Sequence, residues 1–352
     1  MIHGIDLFAG AGGLSLGAVL AGVDVKYAVE INHAAASTYR LNHPDTRMVE
    51  ADVAAIQSLP VKRGALNILF GGPPCQGFST SNQRTRTLAN PKNWLYREIF
   101  RFARELKPDW VILENVKGLR ETAQGKFEVL IRREFDALGY ASALWVLHAT
   151  EFGVPQRRSR LFFVGRRRGP IPVPPHSTCK HAVTVRDAIF DLPLLDVGAS
   201  LDVLPYRRPP MSAYARASRQ GLRKCSGHLV SANNALVQKR YQHIPPGGNW
   251  RHIPARLMRN YTNLVDDRSR HTGIYRRLVW NEPSVVIANY RKNMLIHPSQ
   301  HRGLSLREVA RLQSFPDNYR FEGSIGLQQQ QVSNAVPPLL ATAVFAHIIL
   351  SS

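Results

Sequence analysis

The chain has 352 residues, with 46 Lys and Arg against 25 Asp and Glu, a formal net charge of +21, and three cysteines. This length is sufficient for a large domain that carries a smaller one. The odd number of cysteines argues against a disulfide framework and fits a reducing compartment. The sequence shows neither a secretion signal nor an apolar run approaching about eighteen residues, so we expect a cytoplasmic protein without membrane contacts.

The excess of basic residues lies mainly in the middle of the chain. Residues 151–320 hold 29 Lys and Arg against 10 Asp and Glu, and residues 203–265 combine eleven basic residues with aromatic residues and no acidic one. This composition is typical of a polyanion-binding surface, and we interpret it as a nucleic-acid-binding region. The alternatives are a solubilising surface or a patch for anionic lipids, but solvated surfaces usually mix both signs of charge.

The first 165 residues alternate short apolar runs with helical patterns, which is typical of a parallel sheet covered by helices on both faces. The predicted strands are 4–8, 25–29, 48–51, 68–70, 110–113, 143–148 and 161–164. We therefore predict an α/β fold with a doubly wound, mostly parallel sheet. In such sheets ligands bind beyond the carboxyl ends of the strands.

The alternating pattern ends near a proline-rich stretch at residues 170–175. The following segment, up to about residue 305, is rich in Pro, Arg, Asn and His and indicates a smaller lobe of loops and short strands. Helical spacing returns near the C-terminus, where the last helix is strongly apolar and needs the core of the large domain to pack against. The predicted organisation is a large domain at 1–170, a smaller basic domain at 171–320, and a C-terminal segment at 321–352 that returns to the large domain.

A glycine-rich turn follows the first predicted strand, in the sequence DLFAGAGGLSLG from Asp6 to Gly17. It differs from the dinucleotide-binding fingerprint, because Ser15 stands where the third glycine would be and no Walker lysine follows. Glu30, at the end of the second strand, is placed to accept hydrogen bonds from ribose hydroxyls, and Asp52 could accept one from an adenine amino group. A nucleoside without a pyrophosphate fits best, and the alternative is a glycine turn that only packs.

A second loop, GGPPCQGFS at residues 71–79, follows the fourth predicted strand. Two glycines and two prolines before Cys75 indicate a restricted loop that can hold the thiol in place for attack. A lone cysteine is more often a small buried hydrophobic residue, but the polar, glycine-rich surroundings argue against that here. Glu114, at the end of the next strand, could be a proton donor at a partly buried site, or else a cap for the following helix.

Six short segments, in one order, are spread over nearly the whole chain. They are 6–13, 72–79, Glu114-Asn115-Val116, Gln156-Arg157-Arg158-Ser159-Arg160, 307–316 and 331–338. In this order they resemble the motifs of the C5-cytosine-specific DNA methyltransferases of bacterial restriction-modification systems, whereas any one of them alone would be a weak signal. The resemblance implies the S-adenosylmethionine-dependent methyltransferase fold, S-adenosyl-L-methionine as cofactor, double-stranded DNA as partner, and a target-recognition role for the basic domain.

The resemblance also implies the reaction, which is methyl transfer to carbon 5 of a cytosine flipped out of the duplex. A thiolate at Cys75 would add to carbon 6 of the base, and Glu114 would stabilise the charge that reaches N3. Arg160 would contact the cytosine, and Arg158 would contact a phosphate or position a loop. The residues implied for the cofactor site are Phe8, Gly10, Gly12, Leu14, Glu30, Ile31, Asp52, Val53, Pro74, Leu95, Asn334 and Ala335.

DNA contacts are expected from two regions. By resemblance, the loop after Cys75 would close over the DNA, and the basic segment between Arg160 and Arg307 would recognise the target. Because Arg reads guanine and Asn reads adenine in the major groove, a rigid loop near residues 243–250 could present such a side chain. The expected DNA contacts are Gln76, Ser79, Arg84, Arg86, Arg240, Asn249 and Arg251.

Three positions depart from the family pattern. Ser333 stands where Gly is usual beside Asn334, Ile31 replaces a common aromatic residue, and residues 87–94 lack a usual acidic and basic pair. These departures affect binding details and remove no catalytic group. No metal site is expected, because the Cys and His residues form no C-x-x-C pair.

Two other functions are compatible with the pattern. A catalytically silent DNA-binding homologue would be expected to lose Cys75 or Glu114, and both are present. An RNA cytosine methyltransferase is the other alternative, although the long basic lobe favours duplex DNA. We expect a monomer in the bacterial cytoplasm, associated with the nucleoid, that works alongside a cognate restriction endonuclease.

Overall fold

The computed structural model describes residues 1–61, 67–74, 78, 89–261, 273–288, 290 and 295–351. The chain forms two compact units. Unit 1 comprises Met1–Phe152, Ser159–Lys180 and Ala335–Ser352, and unit 2 comprises Gly153–Arg158 and His181–Asn334. The sequence predicted boundaries at residues 170 and 320, whereas the units change at residues 180 and 334 and the short segment 153–158 belongs to unit 2.

In the part of the chain that the structure describes, unit 1 contains a sheet of seven strands. The strands are β1 (Ile2–Leu7), β2 (Val23–Glu30), β3 (Arg47–Glu50), β4 (Ile68–Gly71), β5 (Trp110–Asn115), β6 (Ala141–His148) and β7 (Ser159–Arg166). Their order across the sheet is β3-β2-β1-β4-β5-β7-β6, with β7 antiparallel to both neighbours and all other pairs parallel. All predicted strands are present, and the predicted doubly wound, mostly parallel α/β fold is confirmed.

Helices connect these strands and continue into unit 2. They are α1 (Gly13–Leu20), α2 (His33–Asn42), α3 (Tyr96–Leu106), α4 (Gly118–Glu121), α5 (Lys126–Ala137), α6 (Val185–Ile189), α7 (Ala213–Arg219), α8 (Ala235–Gln242), α9 (Leu306–Leu312), α10 (Ile325–Asn334) and α11 (Pro338–Leu350). Every residue of β4 and β5 is buried, as expected for central strands covered on both faces. The residues that follow the carboxyl ends of these two strands are therefore held by buried, central strands.

The last helix, α11, packs against α1 in unit 1, as its apolar sequence predicted. A Cβ built on Gly17 would lie 2.3 Å from the Cβ of Ala341, so only glycine allows the two helices to approach this closely. The stretch Ile325–Leu350 is apolar enough to cross a membrane by length and composition, but it is divided into α10 and α11. In its most apolar window 56% is buried inside the protein, which is also characteristic of a core helix.

Unit 2 has short elements, as predicted, including the two-stranded sheet of β8 (Leu204–Pro205) and β9 (Lys224–Cys225). One of its apolar clusters consists of Val237, Tyr241, Ile244, Ile253, Met258, Tyr275 and Ile296. The core also contains arginines that are at most 9% exposed, including Arg219, Arg240, Arg277, Arg302, Arg307 and Arg311. Some of the basic residues that were expected on a nucleic-acid-binding surface therefore lie in the interior of unit 2.

These buried arginines are paired or bonded to carbonyl oxygens. Arg311 of α9 contacts Asp191 at 2.8 Å and Asp317 at 2.6 Å. Arg302 contacts the Glu308 carboxylate at 2.6 Å, and that carboxylate also accepts the backbone N–H of residue 305. Buried charges are tolerated when they are paired and hydrogen-bonded in this way. The motif at residues 307–316 thus organises the interior of unit 2.

Candidate active site

The cofactor loop, residues 8–13, joins β1 to α1 in a conformation that depends on positive φ angles. Gly10 has φ +56° and Gly12 has φ +84°, and Phe8 adopts φ +66° although it carries a Cβ. Such a conformation costs a residue with a side chain on the order of 1 kcal/mol or more and is found mostly at functional sites. A Cβ built on Gly10 would meet nothing within 4 Å, so the backbone here borders open space.

Glu30 lies at the end of β2, directly beside this loop. One carboxylate oxygen accepts the backbone N–H of Gly10 at 2.8 Å, and the other accepts that of Asn32 at 2.8 Å. A backbone bond from residue 9 to Val29, at 2.9 Å, also joins the loop to β2. Because each carboxylate oxygen has a second lone pair, Glu30 keeps the capacity to accept ribose hydroxyls.

The other predicted cofactor residues of unit 1 lie at neighbouring strand ends. Asp52 follows β3 and is exposed, and its carboxylate accepts the backbone N–H of Ala54 at 3.0 Å. Ile31, after β2, is 65% exposed, whereas Leu14 and Val53 are buried. Since β3, β2 and β1 are adjacent and parallel, these residues share one edge of the sheet with the cofactor loop. Pro74 and Leu95 are half-buried in the same unit.

The nucleophile loop begins where β4 ends. A Cβ on Gly71 would lie 2.0 Å from the carbonyl oxygen of Leu7, so glycine permits a close approach of β4 to β1. Asn115 of β5 donates a side-chain hydrogen bond to the carbonyl of Pro73 at 3.4 Å. The predicted nucleophile Cys75 and the predicted DNA contacts Gln76, Ser79, Arg84 and Arg86 lie outside the described residues.

Glu114 and Arg160 form a buried ion pair across β5 and β7. Glu114 Oε1 lies 2.6 Å from Arg160 Nε, and the two residues are 8% and 7% exposed. Arg160 Nη1 also donates to the carbonyl of Ser159 at 2.9 Å. The other carboxylate oxygen, Oε2, lies toward Gly72, where a Cβ would be only 2.9 Å away. Two predicted catalytic groups are thus brought together beside the start of the nucleophile loop.

Arg158 belongs to unit 2 and is 4% exposed. Its guanidinium donates to the carbonyl of Ile287 at 2.7 Å and to that of Ser333 at 3.0 Å. Gln156, also buried, accepts the backbone N–H of Ile287 at 2.9 Å and donates to Gln313 at 2.8 Å. Of the two roles expected for Arg158, these contacts match loop positioning.

The residues predicted to read DNA have different environments. Arg240 was expected on the surface, but it is 1% exposed and its guanidinium donates to Leu257 O and to Tyr275 Oη, the latter at 2.8 Å. We therefore correct that expectation, because Arg240 supports the core of unit 2. Asn249 is 9% exposed and accepts the N–H of Arg251 at 3.0 Å as a helix cap.

Arg251 itself is exposed, with its guanidinium 5.8 Å from the ring centre of Trp250. Near the end of unit 2 Asn334 is exposed, and in unit 1 Ala335 is half-buried. No group of three or more His, Cys, Asp or Glu among the described residues could hold a metal ion. Nothing in the sequence indicated that the arginines in the core of unit 2 are buried. The two glycines before Cys75 indicated a restricted loop, but not the close approach of Gly72 to Glu114.

Comparison with known proteins gave consistent matches over the full chain. The sequence profile of the C-5 cytosine-specific DNA methylase family matches residues 2–350. The chain is 34% identical over 359 residues to the Type II methyltransferase M1.HphI of Haemophilus parahaemolyticus, covering 98% of this chain and 86% of that protein. It is 31% identical over 366 residues to M.DdeI of Desulfomicrobium norvegicum, covering 98% and 88%. A prophage-encoded E. coli protein, described as a DNA modification methyltransferase, has a similar structure with TM-score 0.78, 27% identity and complete coverage of both chains.

Proposed function

The chain belongs to the C-5 cytosine-specific DNA methylases, and we propose that it methylates cytosine within a specific duplex DNA sequence through a covalent adduct with Cys75. The observation that carries this proposal is the buried Glu114–Arg160 pair beside Gly72. Arg160 holds the Glu114 carboxyl group in place at the end of β5, next to the loop that leads to Cys75. A carboxyl group in this position is suited to stabilising a pyrimidine ring whose charge distribution changes during the reaction.

The chemistry requires each of these groups. Carbon 5 of cytosine is a weak nucleophile until a thiolate adds to carbon 6, which breaks the 5,6 double bond and pushes electron density into the ring. Glu114, carrying a proton, donates it to N3 as that charge develops, and Arg160 holds the Glu114 carboxyl group in place while contacting the base. After methylation, a water held near the nucleophile loop takes the proton from carbon 5, the thiolate of Cys75 is eliminated, and the proton on N3 returns to Glu114, which restores the ring and the enzyme.

The residues at the cofactor loop fit S-adenosylmethionine. Gly10 leaves the backbone open to a close ligand, and Glu30 offers acceptors for ribose hydroxyls. Asp52 and the exposed Ile31 would contact the adenine, and the remaining cofactor residues would be Phe8, Gly12, Leu14, Val53, Pro74, Leu95, Asn334 and Ala335. When bound, the cofactor supplies the methyl group that carbon 5 receives.

Unit 2 is proposed as the target-recognition domain. Exposed basic residues there, including Lys239, Arg251, Arg256 and Arg259, would contact phosphates and base edges. Relatives named as Type II methyltransferases suggest a modification enzyme paired with a restriction endonuclease. We propose that it acts as a monomer on the DNA of the bacterial cytoplasm.

Transfer of a labelled methyl group tests this function. We expect the purified protein to label duplex DNA and not transfer RNA, and bisulfite sequencing of DNA from expressing cells to show one methylated sequence. Label found only in RNA would contradict the proposed substrate. Random methylation of cytosines would contradict the proposed role of unit 2.

A further inference from the structure

Behind the cofactor loop, unit 1 contains a chain of buried polar side chains that the proposed mechanism does not use. Ser15 Oγ of α1 donates to Asp6 Oδ2 of β1 at 2.6 Å, and Tyr39 Oη of α2 donates to Ser15 Oγ at 2.8 Å. All three residues are fully buried. The Tyr39 ring stacks on that of His43 with 4.4 Å between ring centres. This chain connects the residues before and after the loop.

Asp6 is the end of this chain, and its carboxyl group has an unusual environment. Its second oxygen, Oδ1, is buried and has no hydrogen-bond partner among the described residues. Burial raises the pKa of Asp6 to about 8, the bond from Ser15 opposes this shift, and the negative charge of Glu30 adds to it. At neutral pH the carboxyl group therefore carries a proton for much of the time.

Among the described residues, the groups around Asp6 do not supply a compensating positive charge. Glu30 on β2 is negative, and Tyr39 on α2 is neutral because burial raises its pKa further above the ordinary value. Burial also lowers the pKa of His43 to about 4, so this ring stays neutral above pH 6. On β4 the residue in register with Asp6 is the apolar Phe70. A cation brought to the cofactor loop would change this balance.

We propose that Asp6, Ser15 and Tyr39 position the cofactor loop, and that Asp6 releases a proton when the positively charged cofactor binds. S-adenosylmethionine carries a sulfonium and an ammonium group against one carboxylate, so its approach favours the ionised form of a nearby acid. The proton of Asp6 passes to solvent, and the bond from Ser15 becomes stronger because its acceptor is then charged. This inference rests on the proposal that the cofactor loop, residues 8–13, holds the cofactor.

Proton release can be measured by calorimetry, without any activity assay. S-adenosylmethionine is titrated into the protein at pH 7.5 in two buffers that differ in ionisation enthalpy. If the cofactor lowers the pKa of Asp6 by about one unit, the wild type releases about half a proton per site. The Asp6→Asn variant, which keeps the shape but cannot ionise, should release none. Equal release by both proteins, or no release by the wild type, would overturn the proposal.

The positioning role is tested with a pair of tyrosine variants. Tyr39→Phe keeps the stacked ring and removes the hydroxyl that bonds Ser15 and Thr46, and we expect the Kd for S-adenosylmethionine to rise about fivefold while the Kd for DNA is unchanged. Tyr27→Phe on β2, outside the chain of bonds, is the matched control and should bind like the wild type. If the two variants bind the cofactor equally well, the chain does not position the loop.

A further outcome separates this inference from the cofactor proposal. Absence of saturable cofactor binding by the wild type would overturn the assignment of residues 8–13 as the cofactor loop, and this inference with it. Normal wild-type binding with unaffected Asp6→Asn and Tyr39→Phe variants would overturn only the role of the buried chain.

Discussion

Replacing Gly72 with Ala would place a methyl group 2.9 Å from Oε2 of Glu114, the carboxylate proposed to act on the cytosine ring. Ordinary contacts of a Cβ begin near 3.4 Å, so the carboxylate must move by about half an ångström. Its other oxygen is held 2.6 Å from Arg160, and this movement would weaken that ion pair. Since a displacement of about 1 Å can cost 10²-fold in rate, we expect kcat of Gly72→Ala to fall about tenfold.

The assay is transfer of a labelled methyl group at saturating DNA and cofactor, together with the thermal unfolding midpoint. Gly273→Ala is the matched control, because a Cβ at that glycine meets no atom of the described residues within 4 Å. We expect the control to keep its rate, and Gly72→Ala to keep cofactor binding. A wild-type kcat for Gly72→Ala would refute the proposed position of Glu114 in the reaction.

Three further predictions concern unit 2. Arg240→Ala should lower the free energy of unfolding by about 3 kcal/mol, because the buried acceptors on Leu257 and Tyr275 lose their donor. A variant that is as stable as the wild type but binds DNA more weakly would instead identify Arg240 as a DNA contact. Arg251→Ala should reduce the slope of log K against log salt by about 1 without lowering stability, and an unchanged slope would exclude a phosphate contact. Burial alone would raise the pKa of Glu308, but Arg302 holds it at about 2, below the ordinary 4.5. The resulting stabilisation, on the order of 3 kcal/mol, is present above pH 4.5 and lost as the pH falls toward 2. In urea unfolding, the Glu308→Gln variant should lack this decline in stability. An equal decline in the variant would contradict the assignment of the pH dependence to Glu308.

The sheet could be predicted because its signal is local. Most strands of unit 1 contain a short apolar run, and the carboxyl-end rule then placed Gly10, Glu30 and Asp52 at one edge. The Glu114–Arg160 contact could not be derived in the same way. It depends on β7 running antiparallel beside β5, which is a long-range pairing that neither strand's sequence specifies.

Unit 2 shows where composition is misleading. A count of charges does not distinguish an arginine at the surface from one that bonds carbonyl oxygens in the interior, and Arg240 was therefore assigned to DNA. Arg251, eleven residues further along the chain, has a similar sequence context but is exposed. Only the packing of α8 against the apolar cluster of unit 2 separates the two.

The covalent role of Cys75 is tested most directly with duplex DNA that carries 5-fluorocytosine at the methylated position. Fluorine on carbon 5 cannot leave as a proton does, so the adduct with carbon 6 should persist as a denaturation-resistant protein–DNA complex when S-adenosylmethionine is present. We predict this complex for the wild type and for the control Cys179→Ser, and none for Cys75→Ser. An active wild-type enzyme that forms no such complex, or a Cys75→Ser variant that does, would contradict the account.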